Sequence, residues 1–244
     1  MLIRSIRAEQ MKLRRSFIWL ALLILPVVSA GLGTANYLGN LGILQDQWYS
    51  LWTQHALFYC CLFGPALTGV YCAYVCRLEH LNRNWNTVMT LPVPARVTLT
   101  AKLAVVSLLT ALTQLFIALL FLLSGKLAGL TAPVPPELVL WVVRGWLALT
   151  VQAALLLCVA LLIRSFAVPV AAGILGGFCG IAATAKGFGV YFPFSLLELG
   201  MCSHHPSEPM ECSTAAFLIS AFFYLFLGMA VSILWTTRRD VRTD

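Results

Sequence analysis

Residues 79–96 read EHLNRNWNTVMTLPVPAR, a polar insert in a chain whose other long stretches are Leu, Ala, Val and Phe. On a helical wheel Leu78, Leu81, Trp85, Val88 and Met89 share one arc, while Glu79, Arg83, Asn86 and Thr87 take the opposite side. This spacing predicts a short amphipathic helix lying flat under a membrane, ended by Pro92, whose ring and missing N–H cannot continue it. A helix buried in lipid has no need of the polar face, and a plain loop has no need of the apolar stripe. Two readings follow: a surface that docks something cytosolic, or an amphipathic connector without a partner.

The surroundings of the insert explain why it stands out. Of the 244 residues, 60% are hydrophobic and 10% charged, and the mean hydropathy is +0.88. So few polar side chains cannot cover a soluble globule. The expected class is an all-α polytopic membrane protein with one transmembrane domain over 1–244. Six spans are expected at about 16–36, 54–76, 102–124, 138–163, 166–185 and 215–236. An even number places both termini on one side. Arg4, Arg7, Lys12, Arg14 and Arg15 precede the first span, and Arg77, Arg83, Arg96 and Lys102 lie between the second and third. Arg164 and the tail residues Arg238, Arg239 and Arg242 fall on the same side, whereas only Lys126 and Lys186 lie opposite. By the positive-inside rule both termini are cytoplasmic. The net charge of +7 is thus a topology signal, and no nucleic-acid partner is expected.

Residues 1–15 are expected to form an interfacial helix, with Leu2, Ile3, Ile6 and Leu13 opposite Arg4, Arg7, Arg14 and Arg15; its basic face would meet anionic lipid headgroups. The apolar run that follows, with VSAG at 28–31, imitates a signal peptide cleaved after Ala30. It is expected to stay as the first span, and later spans keep their orientation either way.

On the outer side, Trp48, Tyr49 and Trp52 are expected to anchor in the headgroup layer, with ligand stacking as the alternative. TAPVPPE at 131–137 is a stiff turn, and the short inner link around Arg164 and Ser165 makes spans four and five antiparallel neighbours. Gly173, Gly176, Gly177 and Gly180 share one face of the fifth span, which lets another helix approach closely. GFGVYFPFSLLELGM at 187–201 is too short on either side of Pro193 to span, so residues 187–214 are expected to dip into the outer leaflet and return.

Reactive chemistry is scarce. The only Gly-Lys pair, Gly125-Lys126, is followed by Leu, so no G-x-x-x-x-G-K-[ST] phosphate loop exists, and neither H-E-x-x-H nor G-x-S-x-G occurs. No cofactor or catalytic residue is expected. Six cysteines (Cys60, Cys61, Cys72, Cys76, Cys158, Cys179) lie within spans as small apolar residues, and the other two flank CSHHPSEPMEC. Cys202 and Cys212 face the oxidising side and could close that loop as a disulfide. His204, His205, Glu208 and Glu211 match no standard zinc spacing, and no metal is expected. Arg144 lies two helical turns below Glu137, about 10 Å. A charge there costs roughly 2.5–3.5 kcal/mol on insertion scales, so it either snorkels outward or faces a substrate or polar interior. Gln114 and Gln152 are expected to hydrogen-bond between helices.

Four stretches carry a family resemblance: RAEQMKLRRSFIWL at 7–20, WTQHALFY at 52–59, RLEHLNRNWNTVMTLPVPARVTLTAK at 77–102, and the Pro-broken aromatic segment before the last span. Together they resemble permease subunits of ABC exporters of the second type, and more narrowly the lantibiotic and bacteriocin self-immunity permeases of Gram-positive bacteria and their bacitracin-resistance relatives. The most specific part runs from Glu79 through Asn84-Trp85 and Leu91-Pro92-Val93 to Lys102. The resemblance implies that 77–101 is the coupling region, with Glu79, Leu81, Arg83, Asn84, Trp85 and Met89 docking a separate cytosolic ATPase. It further implies two copies of that ATPase holding ATP and Mg, a second permease, homologous or identical, and an antimicrobial peptide as cargo at a bacterial plasma membrane. A membrane sensor or scaffold that docks a regulator without transport is the rival reading, and an ion or small-molecule transporter a third.

Overall fold

A computed structural model describes residues 1–80 and 93–238. These are helical, without strands among the described residues. The elements are α1 (Leu2–Leu13), α2 (Ile18–Gly39), α3 (Gln47–Phe58), a π-helical turn (Tyr59–Phe63), α4 (Gly64–His80), α5 (Ala95–Leu127), α6 (Leu138–Leu162), α7 (Ala167–Ala185), a 3-10 turn (Gly189–Tyr191), α8 (Leu196–Gly200) and α9 (Thr214–Arg238). Six helical stretches among the described residues are long and apolar enough to cross a membrane: α2, α3 continuing through α4, α5, α6, α7 and α9. This is a multi-pass membrane protein. Leu20, Leu23, Val27 and Leu32 of α2, Leu115 and Leu119 of α5, and Phe222, Phe223 and Phe226 of α9 are exposed, as helices facing lipid require.

The second span begins at Gln47 and runs 31 residues to Arg77, earlier than the expected 54. Trp48 and Trp52 therefore sit inside a helix, and they are core residues, 3% and 0% exposed, where the sequence suggested headgroup anchors. Burial is tolerated because each indole N–H finds a carbonyl: Trp48 donates to Ala132 O at 2.7 Å and Trp52 to Met201 O at 2.8 Å. Trp52 also stacks on Trp141, ring centroids 4.7 Å apart.

Pro65 explains the π turn just before it. It has no N–H to give the Cys61 carbonyl one turn back, so the α-helical ladder is interrupted there. The glycines of α7 use that opening. A Cβ on Gly177 would lie 2.1 Å from Cys61 O, and one on Gly173 2.4 Å from Pro65 O; reciprocally, a Cβ on Gly69 would lie 2.6 Å from Pro169 O. Spans two and five thus meet backbone to backbone. Gly176 and Gly180 do a second job, lying against Phe194 of the outer segment.

The outer segment re-enters the protein. Ser195, Leu196 and Leu197 are fully buried, and side chains satisfy its irregular backbone, as a low-dielectric setting demands. Gln152 donates to Phe194 O at 3.2 Å, Ser195 Oγ to Phe192 O at 2.7 Å, and Ser220 Oγ to Val190 O at 2.7 Å. The amide of Gln114 reaches Met201 Sδ at 3.3 Å. Both glutamines bind this segment, where bonds to other spans were expected.

Candidate functional site

At the basic end of the bundle, α1 lies against α5. The corner into α2 is fixed by Trp19 Nε1 donating to Leu13 O at 2.9 Å. Glu9 and Leu13, one turn apart, face inward at 6% and 3% exposure. A carboxylate so placed needs cations, and it has two. Lys102 of α5, fully buried, places Nζ 3.1 Å from Glu9 Oε1 and 3.1 Å from Glu79 Oε1, and donates to Val75 O at 3.2 Å. Lys12 lies 2.9 Å from Glu9 Oε1 and also pairs with Glu79 Oε1. The three protons of Lys102 are thus shared among Glu9, Glu79 and a carbonyl.

The quartet joins three elements, α1, the last turn of α4 and the third turn of α5, and the last two flank residues 81–92 in the chain. Around it pack Leu13, Val75, Cys76, Leu99 and Val105, which exclude water and strengthen the pairing. Burial alone would raise the Glu79 carboxyl; Lys102 and Lys12 outweigh it and hold the group below its ordinary 4.5. Burial likewise lowers Lys12, but Glu79 and Glu9 reverse this and hold it above its ordinary 10.5. Glu79 and Lys12 are thereby suited to stay charged at neutral pH.

Glu79 departs from its expected position. The sequence put it on the cytosolic face of the insert, yet it lies in the last turn of α4, just past the second span, with its carboxylate turned inward, 3% exposed; two lysines draw it there. Leu81, Arg83, Asn84, Trp85 and Met89 lie outside the described residues. Glu9 and Lys12 were missed, although one signal was present: Glu9 is three residues after Ile6 and four before Leu13, so the only acid of α1 sits on its apolar face.

On the outer side, Cys202 and Cys212 are free thiols, against the expected disulfide. Cys202 has a left-handed backbone (φ 47°) and turns Sγ onto Leu199 O at 3.7 Å, and both thiols line an outer cavity of about 530 Å³ together with Arg144. Glu198, 3% exposed, accepts a hydrogen bond from Thr184 Oγ1 at 2.9 Å and lies 4.0 Å from His204 Nε2. Burial pushes its carboxyl up to about 7, with Glu211 adding to the shift and the Thr184 hydroxyl opposing it. Among the described residues no three His, Cys, Asp or Glu converge as metal ligands.

No curated protein and no solved structure matches the chain. A family model described as "ABC-2 family transporter protein" matches residues 5–180, which takes in the whole quartet, the first four spans and most of the fifth.

Proposed function

Because the chain belongs to the ABC-2 family of transporter membrane proteins, we propose that it is the permease subunit of an ATP-driven exporter whose ATPase is a separate cytosolic chain. The observation that supports this reading is the ion quartet. Residues 81–92 leave α4 just after Glu79 and lead into α5, which carries Lys102, and both residues are tied to α1. A push on the insert would therefore reach two spans and the interfacial helix together. In this reading a second permease completes the pathway, two ATPase copies serve the pair with the insert docked in a groove of one of them, and ATP-driven closure moves the insert as a lever. The cargo is an antimicrobial peptide of the lantibiotic, bacteriocin or bacitracin type, taken at the outer leaflet and released outside. That part rests on the likeness of 77–102 to immunity permeases.

The test is purification from native membranes with whatever nucleotide-binding subunit accompanies the chain. ATP hydrolysis should rise when such a peptide is added. A complex that forms but whose hydrolysis ignores every peptide class would leave export intact and remove the cargo assignment. A partner without nucleotide hydrolysis would remove export as well, in favour of a docking scaffold.

A further inference from the structure

The outer cavity of about 530 Å³ lies between the start of α6, the end of the re-entrant segment and the loop leading into α9; its lining includes Arg144, Glu137, Glu208, Glu211, Leu140 and Met210. Arg144 belongs to a membrane-spanning helix, two turns beyond Glu137. Its stem is held at the root: Gly200 packs so closely that a Cβ there would lie 3.1 Å from Arg144 Cβ. No ion pair to Arg144 exists within 4 Å among the described residues. Glu137 instead accepts from Tyr49 OH at 3.2 Å. A guanidinium lodged at this depth with five donors and no carboxylate within 4 Å among the described residues is free to take an anion from outside the chain.

Two further features define what that anion belongs to. Leu140 lines the cavity and is also 52% exposed, beside Val139 at 69% and Val143 at 51%, on the lipid-facing strip of α6. The cavity therefore continues into apolar surface that acyl chains cover, which favours an amphiphile over a soluble ion. The same cavity is lined by Glu208 and Glu211, carboxylates able to accept hydrogen bonds from a cation. We infer that the Arg144 cavity seats the headgroup of an outer-leaflet phospholipid bearing a primary amine, the phosphate on Arg144 and the ammonium on Glu208 and Glu211. Its chains lie along Val139, Leu140 and Val143. The inference is independent of the transport reading, and its test needs neither ATP nor a partner.

The purified protein is equilibrated in detergent with phosphatidylethanolamine, phosphatidylglycerol or phosphatidylcholine of matched chains, and retained lipid is measured by native mass spectrometry. The wild type should retain the ethanolamine lipid about tenfold better than the other two, the scale of one charge-assisted contact. Arg144→Gln should lose retention of all three, and Arg144→Lys should recover part of it. Glu208→Gln with Glu211→Gln, both in the outer loop, should keep phospholipid and abolish the preference for ethanolamine. Equal retention of the three lipids by the wild type overturns the inference without any variant having to fold. So does retention unchanged in Arg144→Gln, or displacement of the lipid by free phosphoethanolamine at equal concentration, which would mark a soluble-ion site.

Discussion

Lys102 has no contact with water and four oxygen neighbours, so its loss is felt through what it leaves behind. Lys102→Met strands Glu9 and Glu79 with only the half-exposed Lys12 between them. Removing one member of a buried ion set costs about 3–5 kcal/mol. Thermal scanning in detergent should show a clear drop for Lys102→Met, and adding Glu9→Gln should recover part of it, because the stranded charge is then gone. Equal melting of wild type and Lys102→Met would show that the quartet does not hold these elements. The glycines of α7 and α2 offer a matched pair of tests. Gly177→Ala drives a methyl into the Cys61 carbonyl, and overpacking of this sort costs about 1–3 kcal/mol. A methyl added at Gly31 of α2 would meet nothing within 4 Å, so Gly31→Ala should be neutral or slightly stabilising. The same thermal scans check both.

Among the elements, α1 and the re-entrant segment respond to pH in different windows. The contribution of Glu79 is present above its unfolded value near 4.5 and is lost as pH falls through its lower folded value. That of Lys12 is present below 10.5 and is lost as pH rises through its higher folded value. Docking of α1 should therefore hold across neutral pH and fail only in strong acid or strong base. Cleavage by trypsin at Arg14 and Arg15, between α1 and α2, followed through the milder alkaline half of that range, should stay flat. Glu198 works in the opposite sense. Its folded value near 7 lies above the unfolded one, so the folded state binds the extra proton, and stability falls as pH rises from about 4.5 to 7. Protection of residues 195–201 against hydrogen exchange, after correction for the intrinsic pH dependence of amide exchange, should be greater at pH 6 than at pH 8, and Glu198→Gln should remove that difference.

Spans were legible because runs of Leu, Ala and Val beyond 18 residues have few alternatives, and the glycine face of α7 was legible because its spacing is helical. The start of the second span was not, since Trp48 and Trp52 are equally at home in a headgroup layer; only the distant carbonyls of Ala132 and Met201 decide for the core. Glu79 was misplaced for a related reason. Its inward turn depends on Lys102, 23 residues later, and on Lys12, 67 residues earlier, and no local periodicity carries that information.

For the molecule as a whole, the lever reading makes residues 81–92 and the quartet separable. Trp85→Ala should weaken assembly with the ATPase while leaving the fold and melting temperature intact. Lys102→Met in a complex that still assembles should instead retain ATP hydrolysis and lose its response to peptide. Co-purification and hydrolysis measured side by side check the pair, and loss of both properties in both variants would argue against a division between docking and transmission.

Glu9 and Glu79 carry two negative charges and Lys12 and Lys102 two positive ones, so the set sums to zero. A single elementary charge carried across the bilayer does work of about 2.3 kcal/mol per 100 mV of potential, whereas a neutral group shifted by the same path does almost none. The four paired charges thus add no net charge of their own to the junction of α1, α4 and α5, so a shift of the quartet as a unit does almost no work against the voltage across the membrane.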